Sequence, residues 1–174
     1  GDADNSQSVT QSVSAAGDVS EIAENAMPSI VAITNKGVEE VQSMFFGTTQ
    51  YQETESAGSG VIIAKTDKEL LIATNKAQVK GTDSDHDLAV VAVSLSDISE
   101  DVQSKLKVAV MGDSDKLKIG NQVIAIGNAL GYGQSLTVGY ISALNREVTI
   151  DNVSNNMIQT DAAINFGNSG GFLM

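Results

Sequence analysis

Residues 59–75 read SGVIIAKTDKELLIATN, and this stretch decides the fold class. It contains two short runs of mainly β-branched and other apolar residues, SGVIIAK (59–65) and ELLIATN (69–75), separated by a short polar connection. Runs of this length, bounded by Ser, Gly, Asn and Asp, are typical of β-strands. We therefore predict two successive strands joined by a tight turn.

Five further segments show the same pattern along the chain. They are SIVAITN (29–35), DLAVVAVS (87–94), NQVIAIGN (121–128), SLTVGYISAL (135–144) and NMIQTDA (156–162). Strands at this density predict an all-β chain, organised as a barrel or a sandwich. Residues 36–58 are polar and are predicted to form a long loop, in which Met44, Phe45 and Phe46 could contact a partner subunit or the chain's own core.

The beginning of the chain is predicted to contain a flexible linker and then a short helix. Residues 1–17 are rich in Ser, Gln, Ala and Asp without an apolar period, which is typical of a linker. Asp18 is a candidate N-cap with Glu21 three residues later, and Pro28 is expected to end the helix. One helical face carries Val19, Ile22, Ala23 and Met27. This face should pack onto the strands that follow.

The composition disfavours several classes of ligand. The 22 acidic and 10 basic residues give a formal net charge of -12, which opposes binding to nucleic acid or anionic lipid. Without cysteine, the chain has no disulfide and no thiolate metal site. DSDHD (83–87) lacks the glycine and glutamate of a calcium loop, and GNALGYG (127–133) lacks the following helix of a phosphate-binding loop. We therefore predict no metal and no cofactor.

The turn GNSGG at residues 167–171 contains a candidate nucleophile. A serine hydroxyl attacks well only when a base removes its proton, so Ser169 needs a partner elsewhere in the chain. Glycine at 167 lets a substrate carbonyl oxygen approach the backbone, and Gly170 and Gly171 permit unusual backbone dihedral angles. Taken alone, the pentapeptide fits an ordinary loop between strands equally well.

Three stretches together resemble the HtrA/DegP family of trypsin-like serine endopeptidases. They are SAGSGVII with LLIATN, GTDSDHDLAVV, and GDSDKLKIGNQVIAIGN followed by IQTDAAINFGNSGG. The resemblance runs from about residue 18 to residue 171, in the chain order of that family. It implies a protease domain over residues 18–174, built from two packed antiparallel β-barrels with the active cleft between them.

The resemblance assigns catalytic roles to individual residues. Ser169 matches the nucleophile, and the N–H groups of Gly167 and Ser169 match the donors of the oxyanion hole. Asp87 matches the aspartate that orients the histidine base, although an aspartate before an apolar strand is, by itself, usually a solvated strand start. The order of Asp87 before Ser169 agrees with chymotrypsin-like proteases and disagrees with α/β-hydrolases.

The histidine base is missing from its expected position. The resemblance places it shortly after the strand that ends in Thr-Asn, whereas Asn75 is followed at once by KAQVKGTD. His86 is adjacent to Asp87, and neighbouring strand side chains point to opposite faces, so we interpret His86 as facing solvent. Loss of a barrel hairpin would leave unpaired strand edges. We therefore expect a segment of about twenty residues, which contains the base, to belong after Asn75. We also expect further strands of the second barrel to follow Gly171, because Phe172 departs from the family pattern there.

The segment before the nucleophile bears on specificity. Ala163, Ile164, Asn165 and Phe166 are predicted to line one wall of the primary specificity pocket. They carry no charge, which argues against a preference for Lys or Arg at the cleaved bond. The resemblance implies small aliphatic residues there. Asn168 stands where proteases activated by propeptide cleavage carry Asp. We therefore expect activity to be controlled by loop ordering or oligomer state and not by propeptide cleavage.

The resemblance also implies a biological setting. It implies an ATP-independent endopeptidase of extracytoplasmic protein quality control that cleaves misfolded polypeptides and assembles as a homotrimer or larger oligomer. A PDZ domain and a membrane anchor are expected in such proteins, which reside at the bacterial cell surface or in the periplasm. Two other functions stay open: an inactive protease-like fold that binds peptides as a chaperone or scaffold, and an unrelated β-rich surface-binding domain, which predicts no cleft joining Asp87 to Ser169.

Overall fold

The computed structural model of the chain describes residues 19–42, 49–75, 87–128, 133–150, 153–165 and 167–174. Strands dominate these residues, as the sequence predicts. The elements are α1 (Val19–Ala26), β1 (Ile30–Gln42), β2 (Thr49–Lys65), β3 (Glu69–Asn75), β4 (Leu88–Ser94), α2 (Glu100–Gln103), β5 (Gln122–Asn128), β6 (Gln134–Ile150), β7 (Val153–Thr160) and β8 (Phe172–Leu173). Neither described helix is long and apolar enough to cross a membrane.

The strands form two antiparallel sheets. One sheet has the order β1-β2-β3-β4, and the other has the order β7-β6-β5-β8. This confirms the predicted all-β class with a short helix near the start. Closure into a barrel requires the two edge strands of a sheet to pair with each other, and within the described ranges neither sheet closes in this way. The two barrels are therefore not confirmed.

The predicted long loop over residues 36–58 is wrong for most of its length. β1 and β2 continue into this region as a hairpin, paired from Lys36 with Glu55 to Gln42 with Thr49. A two-stranded ribbon is held by backbone hydrogen bonds, so it does not need the apolar alternation that identifies a half-buried strand. Met44, Phe45 and Phe46 lie outside the described residues.

The short helix joins the two sheets, as its apolar face predicts. Ala26 from α1, Ile30 from β1, and Ile124 and Ile126 from β5 form one buried cluster. Val19, Ile22, Met27, Leu136 and Phe172 pack around this cluster. Pro28 lies in a short 3-10 helix, Met27–Ser29, that directly follows α1. The start of the first sheet is thereby fixed against β5, an inner strand of the second sheet.

Each sheet also has its own core, and the core of the second sheet positions the segment before the nucleophile. Ile62, Leu70 and Ile72 are buried in the first sheet, and Val123, Ala125, Ile141 and Ala162 are buried in the second. A Cβ atom at Gly139 would overlap the backbone nitrogen of Ala162, so only glycine permits this close approach. Residues 163–171 therefore start from a fixed point on β6.

Candidate active site

The turn that contains Ser169 has a defined backbone geometry. Gly167 and Gly170 have φ angles of 92° and 82°, in the left-handed region that favours glycine. The N–H of Asn168 donates to the carbonyl of Asn165 at 3.1 Å, and the N–H of Gly171 donates to the carbonyl of Asn168 at 2.8 Å. Gly167 and Asn168 are buried, whereas Ser169 is exposed. The turn thus presents the serine to solvent on a fixed frame.

Two backbone donors of this turn are available to a ligand. The Asn168 carbonyl is held by Gly171, and the C=O and N–H of a planar trans peptide point in opposite directions. The Ser169 N–H is therefore directed away from the bond that holds the turn together. Among the residues that the structure describes, neither the Gly167 N–H nor the Ser169 N–H has an acceptor. These are the two donors that the sequence assigned to the oxyanion hole.

Ser59, at the buried part of β2, ties the first sheet to the nucleophile turn. Its N–H donates to the Ser169 carbonyl at 2.7 Å, and its hydroxyl donates to the Gly167 carbonyl, also at 2.7 Å. The same hydroxyl accepts from the N–H of Asn128 at 2.6 Å. Sequence reasoning did not single out Ser59, because its partners lie more than sixty positions away along the chain.

Asp87 lies immediately before β4, beside the end of β3. Its backbone has a φ of 52°, a conformation that Asp tolerates better than most residues. The Asn75 amide donates to its Oδ2 at 3.0 Å and to its carbonyl oxygen at 3.4 Å. A carboxylate accepts at both oxygens, so Oδ1 can still receive a hydrogen bond from a base.

The end of β3 connects Asp87 to the nucleophile turn. The hydroxyl of Thr74 donates to the Ser59 carbonyl at 2.7 Å, and the next residue, Asn75, holds Asp87. An apolar cleft of about 250 Å³ has Asn75 and Leu88 among its lining residues from the first sheet, and Gly170, Gly171 and Phe172 from the second. Residues next to Asp87 and residues next to Ser169 thus line one cleft. His86, like Asp83 and Asp85, lies outside the described residues.

The predicted wall of the specificity pocket is only partly described. Ala163, Ile164 and Asn165 are exposed and uncharged, with Ile164 at 61% exposure, and Phe166 lies outside the described residues. The Thr137 hydroxyl donates to the Ala163 carbonyl at 2.8 Å, which fixes the start of this segment against β6. Its role toward a substrate stays a prediction.

Asn168 is held as a neutral side chain beneath the turn. The Ser135 hydroxyl donates to its Oδ1 at 2.9 Å. Its Nδ2 is buried, and neither this atom nor the buried Oδ1 of Asn128 has a hydrogen-bond partner in the described part of the chain. Two unsatisfied amide atoms are an exception to the usual pairing of buried polar groups.

Comparison with known proteins identifies the class. A family model described as "Trypsin-like peptidase domain" matches residues 72–174, and the chain belongs to this family. The matches described next confirm the HtrA/DegP resemblance within the family, and with it the predicted class of enzyme, a serine endopeptidase.

Two sequence relatives and one solved structure illustrate the match. The chain is 37% identical to the Serine protease Do-like HtrA of Bacillus subtilis (strain 168), over 90% of this chain and 40% of that protein. It is 32% identical to the Periplasmic pH-dependent serine endoprotease DegQ of Escherichia coli (strain K12), over 87% of this chain and 38% of that protein. A variant of the HtrA-type protease AlgW, solved with a decapeptide, superposes with a TM-score of 0.73 at 30% identity, over 88% of this chain and 54% of that one. The chain thus spans less than half the length of these two sequence relatives.

Proposed function

We propose that this chain is the protease domain of an ATP-independent serine endopeptidase that cleaves misfolded polypeptides outside the cytoplasm. The observation that carries the proposal is the nucleophile turn, in which an exposed serine lies beside two backbone N–H groups without acceptors in the described structure. The family match supports the reaction class. Relatives named as periplasmic endoproteases support the location.

The proposed reaction proceeds through an acyl-enzyme. The Ser169 Oγ attacks the scissile carbonyl carbon as a base removes the hydroxyl proton, and the carbonyl oxygen becomes an oxyanion. The N–H groups of Gly167 and Ser169 stabilise this charge. The C–N bond then breaks, the amine leaves with the proton from the base, and a water molecule attacks the ester to release the acid and restore the serine.

Asp87 is proposed to orient the base. Asn75 occupies its Oδ2, and Oδ1 has no partner among the described residues, so Oδ1 would accept from a histidine ring and stabilise the imidazolium cation. We place that histidine in the residues expected after Asn75 and not at His86. We also propose that the two sheets are parts of the two barrels implied by the family resemblance.

The proposed substrates have a small aliphatic residue before the cleaved bond. The uncharged, exposed side chains of Ala163, Ile164 and Asn165 support this preference, and Phe166 is proposed to complete the same wall. Such residues become accessible when a protein unfolds, because they are usually buried in folded proteins. This agrees with misfolded chains as the substrate class.

The enzyme proposal is tested by labelling the full-length protein with a fluorescent fluorophosphonate, which reacts with an activated serine. We expect the wild type to be labelled and Ser169→Ala to stay unlabelled. Ser99→Ala, which changes an exposed serine just before α2, should be labelled as strongly as the wild type. Wild-type protein that stays unlabelled at every temperature at which it is folded would exclude the enzyme.

A second candidate is a protease-like fold that binds unfolded peptides without cleaving them. It is favoured by the single histidine, His86, which is adjacent to Asp87 and does not follow Asn75. Loss of one triad member lowers the rate by several orders of magnitude. This candidate predicts that the full-length protein suppresses aggregation of an unfolded client equally well with and without Ser169→Ala, and leaves the client intact.

The assembly and setting are also proposals. We propose a homotrimer or larger oligomer at the cell surface or in the periplasm, with a PDZ domain and a membrane anchor in the full-length protein. The net charge of -12 supports a partner other than nucleic acid. Sedimentation of the purified full-length protein tests the oligomer, and cell fractionation tests the location.

A further inference from the structure

We propose that Ser59 is the residue that positions the oxyanion hole, and this inference rests on the proposed function. Ser59 is fully buried and comes from the first sheet, whereas both oxyanion donors belong to the turn between β7 and β8 of the second sheet. It would act through hydrogen bonds to the turn without touching substrate, so it is a positioning residue.

Ser59 holds the peptide groups on both sides of the Ser169 amide. Its hydroxyl fixes the Gly167 carbonyl and its N–H fixes the Ser169 carbonyl, each at 2.7 Å. The peptide between these two groups contains the Asn168 carbonyl, which Gly171 holds at 2.8 Å, and the Ser169 N–H, which has no acceptor among the described residues. Three successive carbonyls of the turn are thereby anchored, and the orientation of the Ser169 N–H follows from theirs.

The hydroxyl is needed because it both donates and accepts. It donates to the Gly167 carbonyl and accepts from the Asn128 N–H at 2.6 Å, so it links the turn to the end of β5. Alanine at this position would leave a carbonyl and an N–H unpaired in a buried site, which is unfavourable. The turn can relieve this by rotating, since glycine at 167 imposes little barrier to a change of φ and ψ.

A rotated turn would weaken catalysis more than substrate binding. Oxyanion donors act on charge that develops in the transition state, and they are effective because they are already in place. Loss of a whole donor lowers kcat by about 10²–10³-fold in other serine proteases. A donor that is misplaced in part of the molecules should cost less, about 10–100-fold.

The first experiment measures peptide hydrolysis by the full-length protein. We expect Ser59→Ala to lower kcat by about 10–100-fold while KM changes less than about twofold. Ile62→Val is the matched control, because it alters a fully buried residue of the same strand without removing a hydrogen bond. The two variants are compared at the same fraction of folded protein. If Ser59→Ala then has the same kcat as Ile62→Val, the inference is overturned.

The second experiment does not depend on activity. Backbone amide NMR of the folded chain should show that Ser59→Ala shifts or broadens the Gly167 and Ser169 signals, and that Ile62→Val leaves both unchanged. Unmoved signals in Ser59→Ala would overturn the inference even if the enzyme is active. If the Gly167 and Ser169 signals move in Ser59→Ala but the wild type is not labelled by the fluorophosphonate, the proposed function is refuted and the positioning role of Ser59 is retained.

Discussion

The side-chain amide of Asn75 lies 3.0 Å from the carboxylate of Asp87 and donates a hydrogen bond to it. Asn75 is the last residue of β3 and Asp87 immediately precedes β4, and Asn75 lines the same cleft as Gly170 and Gly171 of the nucleophile turn. This bond fixes one carboxylate oxygen and leaves the other for the base. Under the proposal that Asp87 orients the base, this bond makes Asn75 a positioning residue that acts through Asp87.

Asn75→Ala should lower activity through a poorly oriented Asp87. In peptide hydrolysis by the full-length protein we expect kcat to fall about tenfold, against about 10³–10⁴-fold for Asp87→Asn, which alters the acceptor itself. Asp101→Asn is the control, because Asp101 on α2 is exposed and pairs only with Lys105, which follows that helix, among the described residues. If Asn75→Ala matches Asp101→Asn in kcat, the amide does not orient Asp87.

Three glycine-to-alanine variants separate steric overlap from backbone strain. At Gly170 a Cβ atom would overlap the Ser59 carbonyl, and φ is 82°. At Gly120 φ is 88°, but a Cβ atom would meet open space. At Gly112 a Cβ atom would also meet open space, and φ is not in the left-handed region. We expect losses in the free energy of unfolding of about 3 kcal/mol or more, about 1–2 kcal/mol, and less than about 0.5 kcal/mol, respectively. Urea denaturation of the chain measures all three.

The same series has a clear failing outcome. If Gly170→Ala is no less stable than Gly120→Ala, then the nucleophile turn does not lie against Ser59 as described. The close approach of the two sheets at this point would then be wrong, together with the positioning role that depends on it.

Local sequence patterns predicted much of the fold. The short apolar run in ELLIATN, bounded by polar residues, predicted β3 with its observed bounds, Glu69–Asn75. The helical face before Pro28 likewise predicted α1. The hairpin over residues 36–42 and 49–58 was missed, since backbone pairing in a polar ribbon leaves no periodic apolar signal.

The candidate site could be predicted where it depends on residue type, and not where it depends on long-range contact. Ser169 and Asp87 were proposed from their motifs and from their order along the chain. The bonds from Ser59 to the turn and from Asn75 to Asp87 were not, because they join residues that only the folded sheets bring together. Ser59 lies within β2 and Asn75 ends β3, and no local sequence pattern distinguishes either residue from a solvated one.

Asn168→Asp should make stability depend on pH. The new carboxylate would be buried at the site of an Nδ2 that has no partner in the described structure, so burial should raise its pKa above that of an unfolded Asp. A raised folded pKa means that the variant is close to wild type below about pH 4 and loses stability as pH rises from there to the folded pKa. We expect a loss of about 2 kcal/mol or more at pH 7.

Asn165→Asp is the matched control for this prediction. Asn165 is exposed three positions earlier, and it accepts the Asn168 N–H through its backbone carbonyl, which the substitution retains. The same chemical change should therefore shift stability by less than about 0.5 kcal/mol at any pH. Urea denaturation of both variants from pH 4 to pH 8 makes the comparison. Parallel curves for the two would contradict a buried, neutral Asn168.

Ile164→Asp should change the preference for the residue before the cleaved bond. Ile164 is 61% exposed, so the substitution should leave the fold intact, but it places a negative charge on the predicted wall of the pocket. For two peptides that differ only in Val or Lys at that position, we expect the ratio of kcat/KM values to move toward Lys by about tenfold or more. Ile119→Asp, at a residue with 68% exposure outside this segment, should leave the ratio unchanged. Because the comparison is a ratio within each variant, a change in the amount of active enzyme cancels, and an unchanged ratio in Ile164→Asp would remove this residue from the pocket wall.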